Sequence, residues 1–137
     1  MIASLLFVGL QLRQANALAR LQQQQAFADA WQNVNLTLAT EPLLLSLLAK
    51  IHDGGVHEDF PPEDAVSIDM AYRGLMHGWE QYYLQLQLGV LDEDAISFPR
   101  ADSPMWNSDY LRGRWPTVRA EFQEEFAEFW ESRYELR

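Results

Sequence analysis

Apolar and polar residues recur along this chain mostly at the spacing of an α-helix, and no segment of any length carries a strand pattern. From Ile2 to about Leu38 there is no proline and only one glycine, and the good helix formers Ala, Leu and Gln predominate. This stretch predicts one long helix. It should be apolar all round from Ile2 to Leu12 and amphipathic from Arg13 onward.

Two further helices are predicted in the middle of the chain. Thr40 is the predicted N-cap of a short, apolar core helix over Pro42–Ile51, which His52–Gly55 ends. Pro62 opens the next helix and Gly89 ends it. Its apolar residues step by three and four, which predicts a packing stripe with Leu75 and Trp79 buried; the stripe consists of Ala65, Ile68, Tyr72, Leu75, Trp79, Tyr82 and Leu86.

The last third of the chain is interrupted by prolines. Asp92–Asp94 could open a short helix that Pro99 and Pro104 keep from growing, and Ser97–Arg114 is predicted to be irregular, with a helical turn around Trp106–Leu111. The last helix is predicted to start near Pro116. Its apolar side comprises Val118, Phe122, Phe126, Phe129 and Trp130, and its solvated side comprises Glu121, Glu124, Glu125, Glu128, Glu131 and Glu135.

The predicted fold is therefore all-α, an up-and-down bundle of three long helices plus short helices. We expect the long N-terminal helix to project from it as a truncated membrane anchor. Residues 1–12 form the apolar anchor remnant in this division, and residues 13–137 form a single helical domain. A length of 137 residues suits one domain with its own core.

The charge balance narrows the choice of partners. Ten basic and twenty acidic residues give a net charge of −10, which repels nucleic-acid phosphates and anionic lipids. We therefore expect no nucleic-acid partner, and any membrane contact should be hydrophobic. The chain has no cysteine, which removes disulfides, thiolate metal sites and cysteine nucleophiles.

The apolar run at the start is too short to span a bilayer as it stands. Eleven helical residues reach about 16 Å, roughly half of the hydrocarbon core. A longer span would bury Arg13, Gln14, Asn16 and Arg20. We expect an incomplete anchor, with a core helix of a soluble protein and an interfacial helix as the two alternatives. The predicted membrane-contacting residues are Ile2, Leu5, Leu6, Phe7, Val8 and Leu10.

Chemistry-bearing patterns are sparse. His77 and Glu80 lie three apart but occur once, whereas di-iron bundles need Glu-x-x-His twice with two further glutamates. His52, His57, Glu58 and Asp59 match no zinc or EF-hand spacing. We predict no cofactor and no catalytic role. The alternative is a soluble, carboxylate-rich bundle with a metal or small-ligand site involving His77, Glu80 and Glu124.

A cluster of aromatic and arginine residues lies in the proline-interrupted segment. These are the residue types in which interface binding energy concentrates, which predicts a partner-contact surface of Phe98, Arg100, Trp106, Tyr110, Arg112, Arg114 and Trp115. A well-packed internal loop is the competing interpretation, because a small bundle needs large side chains to fill its core.

Three stretches together resemble a widespread, uncharacterised bacterial family of small proteins with one N-terminal transmembrane helix followed by an all-helical domain. They are LLFVGLQLRQANALAR, QYYLQLQLGVLDEDAI and RGRWPTVRAEFQEEFAEFW. The segment Gln11–Gln14 is similar to the end of that family's anchor. The chain departs from the family in lacking about half of the anchor, through a late start assignment or a shortened anchor, and in the Phe98–Pro104 insert.

The resemblance implies no catalytic residue. We expect a non-catalytic accessory or scaffold subunit of a bacterial inner-membrane complex, of respiratory or photosynthetic type for example, because partner helices can shelter a short apolar tail that could not span alone. Its partners would be membrane proteins, reached through the N-terminal helix and the aromatic and arginine segment. Arg13 and Arg20 follow the apolar run directly, and positively charged flanks favour the cytoplasmic side for the domain.

Overall fold

The computed structural model describes residues 2–94 and 97–136, with side chains from Ser4 onward. Five α-helices follow one another in the chain, and no strand occurs in these residues. They are α1 (Ile2–Thr40), α2 (Pro42–His52), α3 (Pro62–Gln87), α4 (Asp109–Val118) and α5 (Glu124–Tyr134). Short 3-10 turns occupy His57–Asp59 and Arg119–Glu121. The all-α prediction is confirmed.

The long helix α1 ends at a sharp corner rather than at the predicted cap. Helix α2 leaves it at 91°. Glu41, not Thr40, is the N-cap of α2, and the Thr40 hydroxyl donates back to the carbonyl of Leu36 at 2.8 Å. Thr40 is itself the last residue of α1, so Glu41 takes the N-cap position, and Pro42 in the first turn fixes the start of α2.

Helix α3 is the centre of the bundle, as its periodicity predicts. Its stripe residues from Ala65 to Tyr82 are buried, with Leu75 and Trp79 only 6% and 7% exposed, and Leu86 is half-buried. The helix ends where expected, and the following Gly89 has a φ of +66°, which glycine adopts without strain.

The predicted C-terminal helix is divided into two. Ser108 caps α4, since its side-chain oxygen accepts from the Leu111 N–H at 3.2 Å, and so helical structure begins at Asp109, seven residues before Pro116. Pro116 lies inside α4, which ends two residues later. The prediction of an irregular segment up to Arg114 is therefore wrong from residue 109 onward, and Asp92–Asp94 form no helix.

Aromatic side chains fill the core between α3, α4 and α5. Phe126, Trp130 and Tyr134 of α5 are fully buried. The Trp130 ring meets Trp106 edge-on, with centroids 5.3 Å apart. Trp115 stacks on Phe122 at 5.8 Å. The core is therefore built largely from rings contributed by the C-terminal third of the chain.

Candidate membrane and partner interface

The first part of α1 is exposed on every side. All side chains from Ser4 to Gln23 are solvent-exposed, including Leu5 at 70%, Phe7 at 61% and Leu10 at 59%. Leu6, Val8 and Leu12 are exposed to a similar degree. The predicted membrane-contacting residues thus lie together on a projecting helix, apart from the Ile2 side chain, which is outside the described residues.

Helix α1 begins to pack on the domain eleven residues after Arg13, the position at which its sequence becomes amphipathic. The first half-buried side chain is Gln24, followed by Phe27, Trp31 and Leu38 on the same face. Trp31 packs against Trp79 of α3 with ring centroids 4.4 Å apart. Arg20 lies 3.9 Å from Asp92, with both side chains more than half exposed.

No single described helix is both long and apolar enough to cross a bilayer. The bent pair formed by Ser4–Thr40 and Pro42–His52 meets the length and composition limits when its two helices are taken together.

The aromatic members of the predicted partner-contact segment lie in the core. Trp106, Tyr110 and Trp115 are 5%, 1% and 2% exposed. The helix that Ser108 starts turns the rings of Tyr110 and Trp115 inward, and the Trp106 ring just before it packs edge-on against Trp130 of α5. Phe98 is half-buried, with its ring 5.0 Å from Tyr82. For these aromatic residues, the structure favours the internal-packing interpretation over a contact surface.

The three arginines of that segment comprise one that is partly buried and two that are exposed. Arg114 donates to both carboxylate oxygens of Asp69 on α3, at 2.6 to 3.2 Å, and the two side chains are 23% and 12% exposed. Arg100 pairs with its neighbour Asp102, and Arg112 pairs with Asp109 and Asn107. Only Arg100 and Arg112 therefore keep the surface position that a contact role needs.

Asp69 also joins α3 to α4 through a tyrosine. The Tyr110 hydroxyl donates to Asp69 Oδ1 at 2.9 Å, and it lies 3.2 Å from the carbonyl oxygen of Ala65. Burial and the neighbouring Asp69 carboxylate raise the pKa of Tyr110 above its usual value. The same hydrogen-bonded carboxylate raises the pKa of Arg114. This arrangement is a structural junction.

The candidate metal residues have structural partners. Glu80 is 5% exposed; its Oε1 accepts the Gln123 N–H at 2.7 Å, and its Oε2 lies 3.1 Å from His77 Nδ1. Glu124 accepts from Arg119 at 2.6 and 3.0 Å. Across residues 2–94 and 97–136, no three His, Cys, Asp or Glu side chains are grouped closely enough to hold a metal ion.

The loop candidates are similarly dispersed. His52 lies 3.7 Å from Asp53, with both side chains largely exposed. The His57 ring packs 5.9 Å from the ring of Tyr110. Asp59 accepts the Val56 N–H at 2.9 Å, which shapes the turn. The geometry therefore gives these residues a role in the loop between α2 and α3.

One carboxylate departs from the predicted solvated face of the last helix. Glu131 is 7% exposed, and its Oε1 accepts from Trp115 Nε1 at 3.0 Å and from Arg119 Nε at 2.6 Å. The prediction that it faces water is wrong. The break between α4 and α5 folds Trp115 and Arg119 back onto this position, which a continuous helix could not do.

Comparison with protein-family models, curated proteins and solved structures gives no match to this chain.

Tyr72 provides a pH-dependent probe of the core. Burial raises its pKa to about 12, and its hydroxyl donates to the Met105 carbonyl at 2.8 Å. An unfolded tyrosine ionises near pH 10, so the contribution of Tyr72 to folding stability is present below about pH 10 and is lost as the pH rises towards about 12. For a shift of this size we expect Tyr72 to contribute about 2 kcal/mol to that loss.

Thermal melts from about pH 9 to about pH 11.5, read beside tyrosinate absorbance, measure this loss. The variant Tyr72→Phe should lose less stability over the same range than the wild-type chain, because it cannot ionise. Equal losses in both proteins would show that other groups cause the alkaline unfolding.

Proposed function

We propose that this protein is a non-catalytic accessory or scaffold subunit of a bacterial inner-membrane protein complex. Its N-terminal helix contacts membrane-protein partners, and its helical domain lies on the cytoplasmic side. The observation that carries the proposal is the projecting part of α1, where Leu5, Leu6, Phe7, Val8 and Leu10 are 49–70% exposed.

A helix with this surface is stable only when something covers it. Fully burying one large aliphatic or aromatic side chain contributes roughly 1.5–3 kcal/mol, and several lie adjacent here. An isolated helix is also marginal in water, since its stability normally comes from packing an apolar face. Exposed apolar patches of this kind mark contacts with proteins or membranes.

The residues that follow the exposed apolar run favour a protein partner within the membrane. Arg13, Gln14, Asn16 and Arg20 would need shelter from neighbouring helices if the membrane-embedded part of α1 extended beyond Leu12. The net charge of −10 disfavours attraction to anionic lipid. Arg13 and Arg20 after the run favour a cytoplasmic domain, in line with the resemblance to singly anchored bacterial proteins.

The carboxyl groups that lie between the helices of the domain support a scaffold role. Asp69, Glu80 and Glu131 are each occupied in fastening one helix to another. A carboxylate held by a backbone N–H or by an arginine and an indole is well suited to fixing helices. The same contacts restrict its freedom to bind a metal or move a proton.

Fractionation of cells that express the full chain tests the proposal. We expect the protein in the inner-membrane fraction, resistant to alkaline carbonate extraction. Deleting residues 2–12 should move at least nine-tenths of it to the supernatant, because the apolar contact is lost. Circular dichroism should show that the shortened domain keeps its helices, since packing starts at Gln24.

Point variants separate the anchor from a general loss of folding. Leu6→Gln with Leu10→Gln should release the protein, whereas Gln14→Ala with Gln22→Ala, two exposed positions further along the same helix, should not. Extraction of the wild-type chain by carbonate would contradict the proposal. Unfolding of the shortened chain would instead place residues 2–12 in the core.

A further inference from the structure

An apolar groove runs along the domain between the second half of α1 and α3. Its volume is about 230 Å³. Its lining includes Phe27, Trp31 and Val34 of α1 and Gly74, Leu75 and Gly78 of α3. None of them is charged, in a chain that carries ten basic and twenty acidic side chains. The groove therefore suits an uncharged, apolar occupant.

The groove exists because aromatic rings separate the two helices. Trp31 of α1 packs on Trp79 of α3 at 4.4 Å, and Phe27 packs on Tyr82 at 4.9 Å. These rings fill one layer of the space between the helices. On the α3 side of the groove, Gly74 and Gly78 have no side chain to fill the rest.

The two glycines serve no packing need within the described chain. A Cβ added at Gly74 would meet nothing within 4 Å, and one added at Gly78 would meet only the Trp31 ring, at an ordinary contact distance of 3.6 Å. Glycine inside a helix is less stable than alanine there, so these positions weaken α3 without a gain inside the molecule. Four residues apart, they expose the backbone of one helix face, which lets another helix approach closely.

We propose that this groove binds a helix of the membrane-protein partner, one that continues from a transmembrane segment and packs alongside α1. The inference rests on the proposed function. Its argument is continuity: α1 runs without interruption from the exposed apolar residues to the groove wall, and Leu12 lies about 22 Å along the helix from Phe27. A partner helix beside the anchor therefore reaches the groove by extending a few turns out of the bilayer.

The chemistry of the occupant follows from the lining. A helix with an apolar face of small residues fits beside Gly74 and Gly78, because the backbones can come close. The ring of Trp31 supplies a flat apolar floor. A charged or strongly polar helix face would lose its hydration in the groove without gaining an ion pair from the lining.

Site-specific photo-crosslinking in intact membranes tests the location of the partner. The photoreactive residue p-benzoylphenylalanine replaces Val34, in the groove, or Leu36, which is 55% exposed and lies about 160° away around α1. We expect a light-dependent adduct at position 34 and at least tenfold less at position 36. The crosslinked peptide should belong to an integral membrane protein and lie in a helix continuous with one of its transmembrane segments.

Three results would overturn the inference. They are equal labelling at the two positions, an adduct with a second copy of this chain, and an adduct with a protein that has no transmembrane segment. Residence of the chain in the membrane is scored separately by carbonate extraction. A membrane-bound chain without the groove adduct refutes the groove proposal alone, and an extractable chain refutes the proposed function.

Filling the groove gives an independent test on the same membranes. Gly74→Leu should reduce the position-34 adduct at least tenfold, because its side chain occupies the space of the incoming helix. Gly74→Ala adds only a Cβ where there is open space and should retain most of the adduct. Both variants should stay membrane-bound and show wild-type circular dichroism. An undiminished adduct with a folded Gly74→Leu chain would count against the groove.

Discussion

Trp79→Ala is expected to lower the free energy of unfolding by about 3–5 kcal/mol, as large core truncations do. The ring is 7% exposed and joins two helices, since it contacts Trp31 of α1 at 4.4 Å and Tyr82 of its own helix at 5.9 Å. Its indole N–H is buried and has no acceptor among the described residues, so the loss is one of packing. Thermal melts should show a decrease in Tm of about 10–20 °C.

The matched control is Val66→Ala, at a residue of the same helix that is 57% exposed. Its effect should stay within about 0.5 kcal/mol, because surface substitutions rarely exceed that. Trp79→Phe should fall between the two, since a smaller ring keeps part of the contact with Trp31. Superimposable melting curves for Trp79→Ala and the wild-type chain would show that this ring does not join α1 to α3.

Glu131→Ala is expected to cost about 2–4 kcal/mol, an unusual loss for a glutamate on a helix rich in acidic residues. The substitution removes the acceptor of the buried Trp115 Nε1–H and one of the two carboxylates that hold Arg119. The indole N–H would be left buried and unpaired, which carries its own desolvation cost. Urea unfolding, followed by circular dichroism, measures the change.

Glu128→Ala provides the comparison, since that residue lies three positions earlier on the same helix and is exposed. It should be neutral within about 0.5 kcal/mol. Glu131→Gln should be intermediate, because the amide oxygen still accepts a hydrogen bond although the charge is gone. Equal midpoints for Glu131→Ala and Glu128→Ala would mean that α4 is not held to α5 through this carboxylate.

The parts of the fold that were predictable from sequence are those set by local patterns. Helix α3 has a regular apolar stripe from Ala65 to Leu86, with proline at its start and glycine after its end, and each feature acts within a few residues. The bounds of α3 and the burial of its stripe residues both followed from these local features. The separation of the apolar run of α1 from the domain was likewise predictable. The run is apolar on every side, and so it lacks the single apolar face with which a surface helix packs on a core.

The remaining features depend on contacts between residues distant in sequence. Nothing near Glu131 distinguishes it from Glu128; its burial is caused by Trp115 and Arg119, sixteen and twelve positions earlier. The aromatic segment was ambiguous for the same reason, since Trp and Arg are favoured both in cores and at interfaces. Ser108 was the local signal for an N-cap, and it could have placed the start of this helix at residue 109 instead of near Pro116.

The groove was not predicted because a glycine in a helical pattern can mark either the end of the helix or a site of close packing. Gly74 and Gly78 could have ended α3 early, and it is the position of α1 that shows that they border a groove. Their four-residue spacing inside an apolar pattern was the available signal.

The uninterrupted course of α1 also fixes the distance and the rotation of the domain relative to the exposed apolar run. From Leu12 to Gln24 the helix separates the two by about 18 Å, and each residue inserted there would increase the separation by about 1.5 Å while rotating the domain by about 100°. Inserting seven residues rotates the domain by nearly two full turns and so almost restores its orientation at a greater separation. Inserting five residues turns the Trp31 face to the opposite side. The number of residues in this stretch, rather than their identity, therefore sets the direction in which the domain faces its neighbours.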